Sequence, residues 1–287
     1  MIPYTRKTLP NGLTVVVNRD RASKLAAVNI LYRVGARNEN PARTGFAHLF
    51  EHLMFRGTRT VENFDLPVQM ASGDNNAFTN NDYTDFYITL PKDNLETALW
   101  LESDRMEGLD ITPAKLEAEK KVVIEEFRQR YLNQPYGDQT MLLRALAYKV
   151  HPYRWAAIGL ATDHIAGATL ADVESFYRAH YRPSNAILSI SADMEEERML
   201  ELAEKWFAPL ADHPSATAAI PQEPVQTQAR RQEVERDVPA STVTVAYHMC
   251  ARTKPDFYTA DLVSDLLSGG DSGRLYTHLV KERNLLS

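Results

Sequence analysis

His48, Glu51 and His52 fall within five residues of one another, in the stretch GFAHLFEHLMFRGT at 45–58. Two imidazoles four residues apart on a helix share one face, one turn apart. Glu51, three residues after His48 and next to His52, lies near the same edge. The set offers two metal ligands with a carboxylate beside them, and its H-x-x-E-H spacing inverts the H-E-x-x-H motif of zinc proteases. Phe46, Ala47, Leu49, Phe50, Leu53, Met54 and Phe55 cover nearly the whole circumference, which is the pattern of a buried helix. Ionisable groups in such a helix need partners, because unpaired burial costs several kcal/mol, and a divalent metal would be one. The competing reading makes His48 and His52 core histidines bonded to backbone, with Glu51 pairing one of them.

A catalytic zinc takes three protein ligands and keeps one position open, so a third donor is needed. A helix is expected from Thr112 to about Tyr131, with Thr112 as N-cap and Pro113 at its first position. It carries Glu117, Glu119, Glu125 and Glu126, and its apolar stripe is Leu116, Val123 and Phe127. Glu119 and Glu126, seven apart, project together along the edge of that stripe, while Glu125 points to the opposite side. Glu126 is the preferred ligand and Glu119 its neighbour two turns earlier. The competing reading leaves both as exposed helix carboxylates, as most glutamates are.

The elements around these helices mix strands and helices. Strands are expected at 13–17, 25–35 and 185–192, and a hairpin at 73–91 whose better strand is 83–90. Further helices are expected at 64–71, 93–106, 138–150, 169–181 and 195–207. Residues 151–168 read mostly as loop. Residues 209–228, rich in Pro, Ala, Thr and Gln, read as a linker. Beyond it come a strand at 241–249, a helix at 257–268 and a helix beginning near Arg274. The division is therefore a domain at 1–208 carrying the metal site, a linker at 209–228, and residues 229–287 as the opening part of a second domain. That last unit is thin for an independent core.

The bulk of the sequence narrows the function. With 287 residues, 44% hydrophobic and 24% charged, it is an ordinary globular chain. The net charge of −6 and the lack of a basic stripe argue against nucleic acid as the main partner. The single Cys250 excludes an internal disulfide, and its apolar run at 243–251 suggests a buried strand residue. No apolar run approaches the roughly 18 residues of a transmembrane segment. The first residues lack the form of a signal peptide, which leaves a cytoplasmic chain or a periplasmic one whose signal has been removed. His164, His180, His213, His248 and His278 carry no ligand spacing.

HLFEHLMFRGT, with Glu119-KKVVIE-Glu126 following at a distance of 74 residues from His52 to Glu126, resembles the pitrilysin-type (M16, inverzincin) zinc peptidases. That family includes insulin-degrading enzyme and the mitochondrial processing peptidases. The resemblance implies His48, His52 and Glu126 as ligands of one Zn2+ per chain, Glu51 as the general base activating zinc-bound water, and Glu119 as a supporting carboxylate. Asn76, Ala77, Phe78 and Thr79 are similar to the family's N-A-x-T segment, where an edge strand pairs with extended substrate. Gly73-Asp74 stands where the family usually has Gly-Gly. His151-Pro152-Tyr153 resembles a family loop and is read as structural, and GGDSGRLYTHLVKERNLLS at 269–287 resembles a second-domain segment.

The implied fold is α+β, a largely antiparallel sheet packed with helices, in two related domains of which the second is incomplete here. The implied activity is zinc-dependent hydrolysis of extended or unfolded peptides. The implied partners are a peptide substrate and a second copy or related subunit. The rival function is a non-catalytic member serving as a binding or assembly subunit.

Overall fold

The protein is described by a computed structural model covering residues 2–213 and 219–286. Its contacts divide it into two units, Met1–Pro239 and Ala240–Ser287. The first holds a six-stranded sheet of β1 (Thr5–Thr8), β2 (Thr14–Arg19), β3 (Leu25–Tyr32), β4 (Asp74–Thr79), β5 (Thr84–Pro91) and β6 (Ala186–Ala192). The spatial order is β1-β2-β6-β3-β5-β4, and every neighbouring pair is antiparallel except β2 with β6. The helices are α1 (Phe46–Leu53), α2 (Asp65–Met70), α3 (Leu95–Glu107), α4 (Pro113–Phe127), α5 (Gln139–Ala147), α6 (Thr162–Ala166), α7 (Leu170–His180) and α8 (Glu196–Phe207).

The sheet owes its buried face to period-two patterning. On β3, Ala26, Val28, Ile30 and Tyr32 are buried while the residues between them are not. Phe86, Ile88 and Leu90 on β5 and Leu188 and Ile190 on β6 continue the layer. Against it pack α3 on β3 and β5, α8 on β2, and α1 on β4. Phe50 of α1 is fully buried, its ring 5.3 Å from Phe176 and 5.1 Å from Tyr181. The expected α+β architecture with a mostly antiparallel sheet is the one found.

Several boundaries differ from the sequence expectation. β1 (TRKT) went unread because its four residues are all exposed and carry no apolar period. It forms by pairing with β2 across a turn in which Gly12 has φ +88, a conformation that favours glycine. The helix expected to reach Tyr131 is α-helical only to Phe127 and continues as a π-helical turn, Arg128–Leu132. The loop at 151–168 contains the short helix α6.

The segment after residue 219 has no helix or strand up to Pro239, but it is fastened to the unit. The Glu223 carboxylate accepts the backbone N–H groups of Lys149, Val150 and His151 at 2.8–2.9 Å. Arg230 donates to the carbonyls of Leu146 and Ala147 at the end of α5. The linker expected at 209–228 lies partly outside the described residues, at 214–218.

In the second unit, α9 (Asp256–Ser268) and a π-helical segment, Tyr276–Glu282, match the two expected helices closely. The strand expected at 241–249 is not formed. Val243, Val245 and Tyr247 are 85%, 68% and 87% exposed, and no described residue pairs with them. Alternating β-branched residues favour a strand only where a neighbour completes the ladder. Cys250 is half-buried at the end of this stretch rather than in a buried strand.

Candidate metal centre

Two helices build the site. α1 begins at Gly45, whose φ of +92 sets the entry to the helix, and Phe46, Leu49, Phe50 and Leu53 anchor its apolar sides in the core. α4 lies against α1. It is started by Thr112, whose hydroxyl accepts the N–H of Lys115, with Pro113 at its first position. Buried Leu116, Val123 and Phe127 fix its rotation, and that rotation turns Glu119 and Glu126 toward the imidazoles of α1.

His48, His52 and Glu126 each present a donor atom within 4.8 Å of the others. Oε2 of Glu126 is 3.3 Å from Nε2 of His52 and 3.7 Å from Nε2 of His48. The two imidazole rings stand nearly perpendicular, at 79°, with centroids 4.9 Å apart. Nδ1 of His52 faces Oε2 of Glu119 at 3.5 Å. Glu119 is 1% exposed and forms an ion pair with Arg56. Oε1 of Glu126 receives Nη1 of Arg130 at 3.0 Å. Glu125, by contrast, is on the outside of α4 and pairs with Arg128.

These contacts divide the titrations. Burial pushes the His48 imidazole down to about 4, against the pull of Glu126. Burial would lower His52 too, but Glu119 and Glu126 outweigh it and raise it to about 9. Hydrogen bonding to His52 is the main reason the Glu126 carboxyl is held below its ordinary value. Burial works to raise Glu119, and the combined pull of His52 and Arg56 reverses it. Glu51 goes the other way: burial raises it, although a hydrogen bond from the Thr79 hydroxyl opposes the rise.

The donor set fits zinc. Two imidazole nitrogens and one carboxylate oxygen are the ligand types of a three-ligand site with an open position. His48 is buried, yet Nδ1 has no hydrogen-bond partner among the described residues and Nε2 is too far from Glu126 for an ordinary hydrogen bond. A cation between the three groups would engage Nε2, the nitrogen that faces Glu126 without a hydrogen bond to it.

Asn76, Ala77, Phe78 and Thr79 lie on β4, the last strand of the sheet, so one side of it has no neighbouring strand among the described residues. Ala77 and Thr79 are half-buried, while Asn76 and Phe78 are exposed. Phe78 is 44% exposed and packs edge-on against Tyr83. Oδ1 of Asn76 accepts the N–H of Ala77 at 2.8 Å. His151 is structural in its contacts: Nδ1 accepts the N–H of Tyr153.

Sequence reasoning missed Arg56 and Arg130. Each stands four residues after a site residue, His52 and Glu126 respectively, and that spacing was the signal available. It also missed Glu39, a buried carboxylate behind α1, for which no motif or period gave notice.

A family model described as insulinase, peptidase family M16, matches residues 14–156, and one described as the peptidase M16 inactive domain matches residues 167–286. The zinc protease PqqE of Helicobacter pylori is 35% identical over 286 residues, 98% of this chain. The chain belongs to the M16 peptidase family. Another relative, the mitochondrial-processing peptidase subunit beta of Saccharomyces cerevisiae, is 25% identical over 267 residues. This chain spans 64% of the length of the first M16 relative and 57% of the second. Among solved structures, a protease from Helicobacter pylori superposes with a TM-score of 0.90 at 32% identity, covering all of this chain and 70% of that one. The first half of the periplasmic protease PqqL from Escherichia coli, 23% identical with a TM-score of 0.69, shares the M16 fold over 78% of this chain and 49% of its own. No helix among the described residues is long and apolar enough to cross a membrane.

Proposed function

We propose that this M16 chain carries the catalytic centre of a zinc-dependent peptidase that hydrolyses extended or unfolded peptides. His48, His52 and Glu126 hold one zinc ion, Glu119 orients His52, and Glu51 is the general base. The observation that carries the reading is the convergence of three zinc-type donors within 4.8 Å, beside the open edge of β4.

Zinc, when bound, supplies Lewis-acid polarisation of a carbonyl and acidifies water. The chain's own residues do the rest. The free edge of β4 offers unpaired backbone groups to an extended peptide, which adds as another strand and so lays its scissile bond along the site. Thr79 of the same strand opposes the rise of the Glu51 carboxyl. Glu51 takes a proton from the attacking water and returns it to the leaving amine nitrogen. Its carboxyl, raised by burial, is better matched to that exchange than an exposed glutamate would be.

In this reading residues 1–208 form the metallopeptidase domain, 209–228 the linker, and 229–287 the opening of a second, related domain. The remaining substrate-holding surface comes from further chain, from a second copy or from a related subunit. The relative named as a processing-peptidase subunit supports the last route.

The test is cleavage of a quenched unstructured peptide with and without a chelator, on wild type and Glu51→Gln, with zinc measured on the same samples. The reading predicts chelator-sensitive cleavage in wild type, and zinc without cleavage in Glu51→Gln. Full activity in the variant would remove Glu51 from its role. A second reading, a zinc-binding assembly subunit without activity of its own, is favoured by the inactive-domain description of the model matching 167–286. Stoichiometric zinc in a wild type that never cleaves would support it.

A further inference from the structure

α1 has no cap from its own sequence: Gly45 offers no side chain to its first turn. The orphan N–H groups of a helix start must nevertheless be satisfied. Here one carboxylate from outside does it. Oε2 of Glu39 accepts the N–H of Gly45 and Oε1 that of Ala47, both at 2.9 Å. Glu39 is buried, and its third donor is the indole Nε1 of Trp155 at 3.1 Å. Trp155, 1% exposed, also donates to the carbonyl of Ala36.

Trp155 reaches the other side of the site as well. Its carbonyl accepts Nδ2 of Asn81 at 3.0 Å. Asn81 stands in the turn between β4 and β5, two residues after Thr79. Through Glu39 and Asn81, one tryptophan therefore ties together the start of the helix bearing His48, Glu51 and His52 and the turn that follows β4.

We infer that Glu39, held by Trp155, is a positioning residue that sets the axial placement of α1, and with it the convergence of His48 and His52 on Glu126. The inference rests on the zinc reading above. Side-chain packing fixes a helix's rotation firmly but resists sliding along its axis less, because apolar contacts are non-directional. Hydrogen bonds to the first-turn N–H groups are directional and resist that sliding. A rise of 1.5 Å per residue means that a slip of one residue exceeds what bonds of about 2.0–2.2 Å from zinc to its ligands can absorb. His48 immediately follows Ala47, the last residue held by the carboxylate. Glutamine at position 39 would keep the size but turn an N–H2 group toward N–H donors.

The test is zinc affinity by chelator competition on the metal-free full chain, for wild type, Glu39→Gln, Trp155→Phe and the double variant. Thermal unfolding of each metal-free form and the absorption spectrum of each cobalt-loaded form complete the set. Glu39→Gln should weaken zinc binding about 10–100-fold, the effect of losing a group that orients a ligand. Trp155→Phe, which keeps an aromatic ring and removes one donor, should weaken it in the same direction and alter the cobalt spectrum. The double variant should bind zinc no more weakly than Glu39→Gln alone, because the two act as one unit. If both single variants unfold at lower temperature yet bind zinc within about twofold of wild type, Glu39 holds the fold only and the inference is overturned. Trp155→Phe decides the same question should Glu39→Gln not fold. A wild type that takes up no zinc at all would overturn the zinc reading itself, and this inference with it.

Discussion

Nδ1 of His52 faces Oε2 of Glu119 at 3.5 Å, while the other ring nitrogen faces Glu126 at 3.3 Å. The ring is gripped from both sides by carboxylates seven residues apart on one helix. An imidazole ligand whose second nitrogen is bound by a carboxylate is fixed in orientation and made more basic. Glu119→Gln should therefore keep the fold and weaken zinc binding about 10–100-fold. Chelator competition reads this directly. An unchanged zinc affinity would reduce Glu119 to a partner of Arg56.

Phe50 sits on the opposite side of α1 from the site and stacks with Phe176 and Tyr177 at 5.3 and 6.1 Å. Truncating a fully buried phenylalanine removes its transfer free energy and leaves a cavity. Phe50→Ala should cost about 3–5 kcal/mol in urea unfolding of the metal-free chain. A loss under about 1 kcal/mol would mean that α1 is not seated in the core as described.

Glu223 sets a pH dependence. Slight burial pushes its carboxyl up, but the N–H groups of His151, Val150 and Lys149 outweigh that and bring it from 4.5 down to about 2. A carboxyl lowered in the folded state contributes stability that is complete above its unfolded value and is lost as pH falls through its folded value. The clamp on 149–151 should thus be intact above about pH 4.5 and open toward pH 2. Amide exchange at Val150 and His151 should show wild type better protected than Glu223→Gln at pH 5–6, with the difference vanishing near pH 2. Equal protection at both ends of that range would show that the clamp does not form.

The site was legible in the sequence to the extent that its geometry is helical. His48, Glu51 and His52 repeat at helix spacing. Leu116, Val123 and Phe127 fixed the rotation of α4 well enough to separate Glu126, turned inward, from Glu125, which pairs with Arg128 outside. The sheet was legible where a buried face imposes a period of two, as on β3. It was not legible in β1, whose residues are all exposed, and the alternation at 241–249 pointed to a strand that is not formed among the described residues. Glu39 and Trp155 lie 116 residues apart and meet only through the fold. No periodicity connects them, and a lone loop glutamate gives no sign of being buried.

The central claim is that three named side chains form one metal site, and zinc retention tests it most directly. The chain, given one equivalent of zinc and then desalted, should retain one zinc ion per molecule. Glu125→Gln should retain the same, and Glu126→Gln should lose most of it. A wild type that retains none, or equal retention by the two variants, would contradict the site built from His48, His52 and Glu126.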